Sequence, residues 1–188
     1  MSLFETIGNI DKKIFLRLNG LHNVQLDNLM YWMSNEAIWV PFYLCLIGLV
    51  IYFFRQKSWV IIIFLILLIT STDQTSGLIK RTVQRPRPCH NTEIGPEVHI
   101  VKDCGGKYGF ISSHAANTFA LAMFMTLLLV HKYEYVGWLL FPWAALISFS
   151  RIYLGVHYPA DITVGALLGL SLGYLFFKAC KKILHLSI

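Results

Sequence analysis

Five apolar stretches, each close to the length an α-helix needs to cross a bilayer, constrain this chain more than any other feature. They fall at about residues 37–54, 59–79, 115–130, 136–153 and 162–177. A helix rises ~1.5 Å per residue, so ~20 apolar residues match the hydrocarbon thickness of a membrane. In lipid every backbone N–H and C=O must find a partner within the protein, and helices do this internally. The expected fold class is therefore all-α, an integral membrane helical bundle of about five transmembrane helices. Composition agrees: hydrophobic residues make up 56% of the chain and charged residues 14%, against roughly 25% charged in soluble domains.

The 188 residues are one domain's worth, read as a single membrane domain over 1–188. The first 30 residues are amphipathic and carry Glu5, Asp11, Lys12, Lys13, Arg17 and Asp27, and 1–36 is read as the interfacial part of the chain. They lack the continuous apolar core of a signal peptide. Segments 3–18 and 27–34 read instead as interfacial amphipathic helices lying along the membrane surface. The connections at 55–58 and 131–135 are short, whereas 81–113 is long and rich in Gly, Pro and charge. Five spans place the second–third and fourth–fifth connections on the N-terminal side. Arg55, Lys57, Lys132, Lys178, Lys181 and Lys182 fall on the other side, which the positive-inside rule makes cytoplasmic. The net charge of +6 suits cations facing anionic headgroups. No recognition helix, RNA-binding motif or zinc finger is present, so nucleic acid is not an expected partner. Gly165, Gly169 and Gly173 recur every four residues, the spacing of a close helix-packing seam.

Three clusters on the N-terminal side carry chemistry. The first closes the second span and contains Lys80, Arg87 and Pro88. The second opens the third span with Ser112, Ser113 and His114. The third joins the last two spans with Ser150, Arg151, His157 and Asp161. A single cation at a span end is commonly a snorkelling anchor. Three converging at one depth, with no carboxylate beside them in the sequence, call for an anion, and guanidinium forks suit phosphate oxygens. The start of the third span adds Ser112 and backbone N–H donors where a helix favours negative charge. Pro159 fits the first position of a helix, which places His157 just before that helix and Asp161 in its first turn. The carboxylate can then fix the imidazole tautomer and leave the other nitrogen as a nucleophile. His114, on a different helix, is free to act as general acid.

The pattern Lys-x6-Arg-Pro, Ser-x-His, Ser-Arg-x5-His-x3-Asp resembles the type 2 phosphatidic acid phosphatase superfamily over about residues 80–161. That resemblance implies a metal-independent phosphatase with a phosphohistidine intermediate and no cofactor. His157 would attack phosphorus, Asp161 would orient it and His114 would protonate the leaving group. Lys80, Arg87, Ser112, Arg151 and the backbone N–H of Ser113 would hold the phosphoryl oxygens. Ile111 and Ser113 stand where the family usually has Pro and Gly. If the second position requires φ > 0, Ser carries a steric cost there.

Further expectations attach to single residues. Asp73 lies inside an apolar span, and intramembrane acids usually face the bundle interior. It is read as supporting the cations from behind, or as a polar helix–helix contact. Cys89 and Cys104 share the long loop and are read as a disulfide in an oxidising compartment. Cys89, His90, His99 and Cys104 are the competing zinc set, irregularly spaced for such a site. Arg81 and Arg85 are further loop cations, read as solvated or headgroup-facing, or as meeting a second phosphate.

The expected substrate is a membrane lipid phosphate reaching the site from the bilayer. Undecaprenyl diphosphate, phosphatidylglycerol phosphate, phosphatidic acid and lipid A phosphate are the candidates. The resemblance to bacterial members implies the inner membrane with the site facing the periplasm. Competing readings are a lipid-phosphate or anion transporter and a vanadate-dependent haloperoxidase. A transporter does not need a His–Asp pair with a second His, and its site usually lies at the midplane. The haloperoxidases are soluble. No residue pattern bears on oligomeric state.

Overall fold

A computed structural model describes residues 3–185; residues 1–2 and 186–188 of the expected domain lie outside the described residues. Among the described residues seven α-helices follow in order: α1 (Leu3–Asn19), α2 (Val24–Ser34), α3 (Val40–Phe54), α4 (Ser58–Val83), α5 (Ser113–Leu129), α6 (Val136–Tyr153) and α7 (Pro159–Leu184). The described residues form no strand, only an isolated bridge between Pro86 and Tyr108 in the long loop. The continuous helical stretch Glu36–Val83, α6 and α7 are long and apolar enough to cross a membrane, and α5 is a shorter apolar helix. A 3-10 turn at Arg55–Lys57 folds the first of these into α3 and α4, so five helices build the membrane bundle.

Local chemistry sets the ends. The Asn23 side chain accepts from the N–H groups of Gln25 and Leu26, at 3.1 and 2.9 Å, so α2 begins three residues before the expected 27. Pro159 starts α7, and its first turn is closed by a capping box between Tyr158 and Asp161. Helices α4 and α7 run beyond their apolar stretches into Lys80–Arg81 and Lys178–Lys182. Lys and Arg are good helix formers that carry apolar stems, so a cationic tail extends a span at little cost.

Helix α5 is the centre of the bundle, packed against α4, α6 and above all α7. The glycine seam of α7 explains that pairing. A Cβ at Gly169 would fall 2.2 Å from the carbonyl oxygen of Ala116, and one at Gly173 would fall 2.6 Å from that of Ala120. Only hydrogen fits between the two backbones. Phe124, Met125, Leu128, Leu129, Leu140 and Ile61 fill the core beside this seam. Large apolar side chains such as Leu44, Ile66, Trp138, Leu167 and Leu175 face outward, as a lipid-facing surface requires.

The two ends of the bundle differ. Lys57 donates to the carbonyl of Leu184 at 3.0 Å, and Phe53 meets Tyr133 edge-on, so the two short turns and the end of α7 share one end. The long loop, the α6–α7 junction, α1 and α2 share the other. Phe15 of α1 is fully buried against Tyr158, Ile152 and Ile94, while Met30 of α2 packs on Tyr153, Leu154 and Val156. Asn19 donates to the carbonyls of Tyr153 and His99 at 2.7 and 3.0 Å. The N-terminal helices therefore do more than lie on the surface: they cap this end of the bundle, with Ile7, Ile10, Ile14 and Trp32 still exposed.

Candidate active site

The loop after α6 turns at Gly155, with φ +78°, and brings His157 to a buried position just before α7. Its Nδ1 lies 3.4 Å from Oδ2 of Asp161, which also accepts from the Tyr158 backbone N–H at 3.0 Å. Burial pushes the imidazole down to about 4, against the opposing pull of Asp161, with Arg151 and Arg87 lowering it further. That shift favours the neutral ring, the form in which an imidazole can act as a nucleophile.

The start of α5 is tied to this pair. The Ser112 N–H donates to the carbonyl of Asp161 at 3.1 Å, and the Ser112 hydroxyl caps α5 by accepting from Ala115 N–H at 3.4 Å. Ser113 is the first residue of α5 and is not among the residues with positive φ, so the expected steric cost does not arise. Its hydroxyl bonds the Ser76 hydroxyl at 2.7 Å and accepts from Lys80 Nζ. The peptide bond between Phe110 and the fully buried Ile111 is cis.

A cleft of about 520 Å³ opens beside these groups, lined in part by Arg87, His114, Arg151, Glu36 and Asp103. Arg87 donates to the carbonyls of Cys104 at 2.9 Å and Tyr108 at 3.4 Å. Burial lowers its pKa, opposed by Asp161 and Asp103. Arg151 bonds Ser34 of α2, and His114 Nε2 lies 3.4 Å from Glu36. Carboxylates are thus closer to the cations than the sequence suggested. Lys80, His157 and Asp161 are not on the cleft lining, but each interacts electrostatically with Arg87, and His114 interacts with His157. A second, apolar groove of about 450 Å³ runs between α3, α4, α5 and α6 and shares Ser34, Glu36 and His114 with the polar cleft.

Several residues sit elsewhere than expected. Asp73 does not face the bundle interior; it is exposed, and the row of α4 packed on α5 is Thr72–Ser76–Lys80. The i, i+4 spacing of these small polar residues takes the interior position, leaving Asp73 only within electrostatic range of Lys80. Arg85 is half-buried rather than free in solvent: it pairs with Asp11 at 2.7 Å and Asp161 at 2.8 Å. Cys89 and Cys104 are joined as a disulfide, Cα atoms 6.2 Å apart. His99 lies away from them, 2.9 Å from Asp27, so the four-residue zinc set is not assembled. Sequence reasoning missed Gly109. A Cβ there would lie 2.9 Å from Arg87 Cγ, 3.3 Å from Asp161 Oδ2 and 3.5 Å from His157 Nδ1. Its position three residues before Ser112 was the available signal.

A His–Asp pair, a second histidine and two arginines thus gather at one end of the bundle. Residues 59–184 match the PAP2 superfamily. The chain belongs to that superfamily. It is 33% identical to the lipid A 4'-phosphatase of Bacteroides thetaiotaomicron over 96% of this chain and 81% of the relative. Identity is also 33% to the lipid A 4'-phosphatase of Porphyromonas gingivalis, over 93% and 74%. Among solved PAP2-like folds, Aquifex aeolicus LpxE superposes with a TM-score of 0.68 at 26% identity, covering 88% of this chain and 93% of that one. The transmembrane PAP2 type phosphatidylglycerolphosphate phosphatase of Bacillus subtilis gives 0.73 at 20% identity, covering 95% and 88%, a likeness of fold. This PAP2 chain is thus an integral membrane protein of a phosphatase superfamily.

Proposed function

We propose that this protein is a lipid phosphate phosphatase that works through a phosphohistidine. The observation that carries the reading is the polar cleft holding Arg87, Arg151 and His114, which meets an apolar groove at His114 while the His157–Asp161 pair is buried alongside. An amphiphile fits this arrangement: phosphate and headgroup in the cleft, hydrocarbon in the groove, entry from the bilayer.

In this account Lys80, Arg87 and Arg151 hold the phosphoryl oxygens, with the Ser112 hydroxyl and the Ser113 N–H at the start of α5. Phosphoryl transfer depends on positioning and on stabilising charge over those oxygens, and these groups supply both. His157 attacks phosphorus as the bond from phosphorus to the lipid oxygen breaks, and His114 gives that oxygen a proton. Water then attacks the phosphohistidine, passes a proton back to His114, and inorganic phosphate leaves. Asp161 orients the imidazole, and Asp73 is assigned a distant electrostatic role on Lys80. No metal or cofactor enters these steps.

Among the four candidate lipids, a lipid A phosphate has the strongest support, from the two relatives that share a third of their residues with this chain over most of its length. The cleft is larger than a phosphate needs and offers Tyr31, Asn35, Glu36 and Asp103, polar partners suited to sugar hydroxyls. The localisation we assign is a bacterial inner membrane with the site facing the periplasm. The Cys89–Cys104 disulfide at that end and the cluster of Lys and Arg at the other support this orientation.

The test is phosphate release by purified protein in detergent with EDTA, on all four lipids, beside a His157→Ala control. Release that survives EDTA, is greatest with lipid A and vanishes in the variant is expected. A folded protein inert toward every lipid overturns the reading.

A further inference from the structure

Helix α1 reaches the buried His157–Asp161 pair through one guanidinium. Arg85 sits in the long loop, 76 residues from Asp161 and 74 from Asp11 in sequence. Its NH1 donates to Asp161 Oδ1 at 2.8 Å and its NH2 to Asp11 Oδ2 at 2.7 Å. The other oxygen of Asp11 accepts from the Ala160 backbone N–H at 2.9 Å, in the first turn of α7. Both carboxylates are buried, Asp161 fully and Asp11 to 6% exposure. The guanidinium lies 4.0 Å over the Tyr158 ring, which Phe15 of α1 meets edge-on at 5.4 Å. The Arg85 carbonyl is fixed in turn by Gly109 N–H at 2.9 Å. Arg85 and Asp11 lie off the polar cleft, and their polar atoms are engaged by Asp161, by each other and by the Ala160 N–H.

Such a fork has a definite consequence. A carboxylate that accepts from Arg85 on one oxygen and from Tyr158 N–H on the other cannot rotate, and its Oδ2 stays aimed at His157 Nδ1. Each charge-assisted bond of this kind is both strong and directional. The arrangement extends the orienting chain one layer outward, from His157 to Asp161 to Arg85 to Asp11.

We propose that Arg85 and Asp11 are positioning residues for the reaction, locking Asp161 in its orienting geometry and making the docking of α1 part of the catalytic apparatus. This rests on the phosphohistidine reading above. Arg85→Gln should then lower kcat about 10–100-fold, the worth of a charge-assisted bond, with KM nearly unchanged. Arg85→Lys keeps the charge but cannot fork between two carboxylates, so it should recover only part of the loss. Asp11→Asn keeps an acceptor for Ala160 N–H and loses the charge, so a smaller drop in kcat is expected. Because Asp11 acts through Arg85, adding Asp11→Asn to Arg85→Gln should cost nothing further.

The experiment measures kcat and KM for these four variants, with wild type and His157→Ala alongside and orthovanadate binding as a check on the intact cleft. A kcat loss with vanadate binding kept, partial recovery by Lys and non-additivity support the proposal. Unchanged kcat in Arg85→Gln, or a loss confined to KM, overturns it. So does full activity in Arg85→Lys, which also decides the matter if Arg85→Gln fails to fold. An inactive wild type would instead strike at the phosphatase reading itself.

Discussion

His157 is held neutral by its surroundings, and that has a measurable signature. Its pKa falls from the ordinary imidazole range to about 4 because burial disfavours the charged ring. The folded value lies below the unfolded one, so the unfolded chain takes up a proton first as pH falls. Stability is thus fully present above about pH 6.5 and is lost progressively toward pH 4, on the order of 3 kcal/mol in all. His157→Asn should flatten that acid decline in thermal unfolding curves while abolishing turnover. Arg87→Lys should lower kcat/KM about 10–100-fold, because one ammonium cannot reproduce a planar fork that spans the Cys104 and Tyr108 carbonyls. At this scale the sequence was informative where chemistry is dictated by short spacing: His157 and Asp161 are four apart, and Ser112 adjoins Ser113 and His114. Asp11, Arg85 and Gly109 were not legible as partners of that pair. Arg85 meets Asp161 across 76 residues and Asp11 meets Ala160 across 149, and no local pattern reports such a meeting.

The pairing of α5 with α7 depends on the absence of side chains at Gly165, Gly169 and Gly173. Gly169→Leu should force the two backbones apart, since even a Cβ would stand 2.2 Å from the Ala116 carbonyl oxygen. A loss of about 1–3 kcal/mol is expected in detergent unfolding, the cost of overpacking a tight contact. Activity should fall with it, because α5 carries His114 and α7 carries Asp161. The five membrane helices were legible because apolar length is a strong, local signal. The docking of α1 and α2 was not. Their amphipathicity is satisfied equally by a membrane surface and by the end of a bundle. The buried Phe15 and Asn19 that decide the matter look ordinary in an amphipathic helix. The inward row Thr72–Ser76–Lys80 was likewise hidden by the louder signal of Asp73.

At the scale of the molecule, the bundle carries its polar cleft at one end, the end closed by α1, α2 and the disulfide-bonded loop. The Cys104 carbonyl that accepts from Arg87 belongs to a disulfide-bonded residue, so covalent loop closure helps to hold the Arg87 guanidinium in place. Cys89→Ser with Cys104→Ser should lower stability by roughly 3 kcal/mol in the chain-entropy picture and raise KM, and reductant should do the same to the native protein. If phosphate passes through His157, a phosphorylated enzyme must form and decay in every turnover. The most direct measurement is rapid acid-free quenching of a turnover mixture, followed by mass spectrometry of the peptide containing residue 157. A phosphorylated His157 that forms and decays at the rate of phosphate release, and is lost in His157→Ala, is the predicted result. Steady turnover with that histidine never phosphorylated would contradict the account.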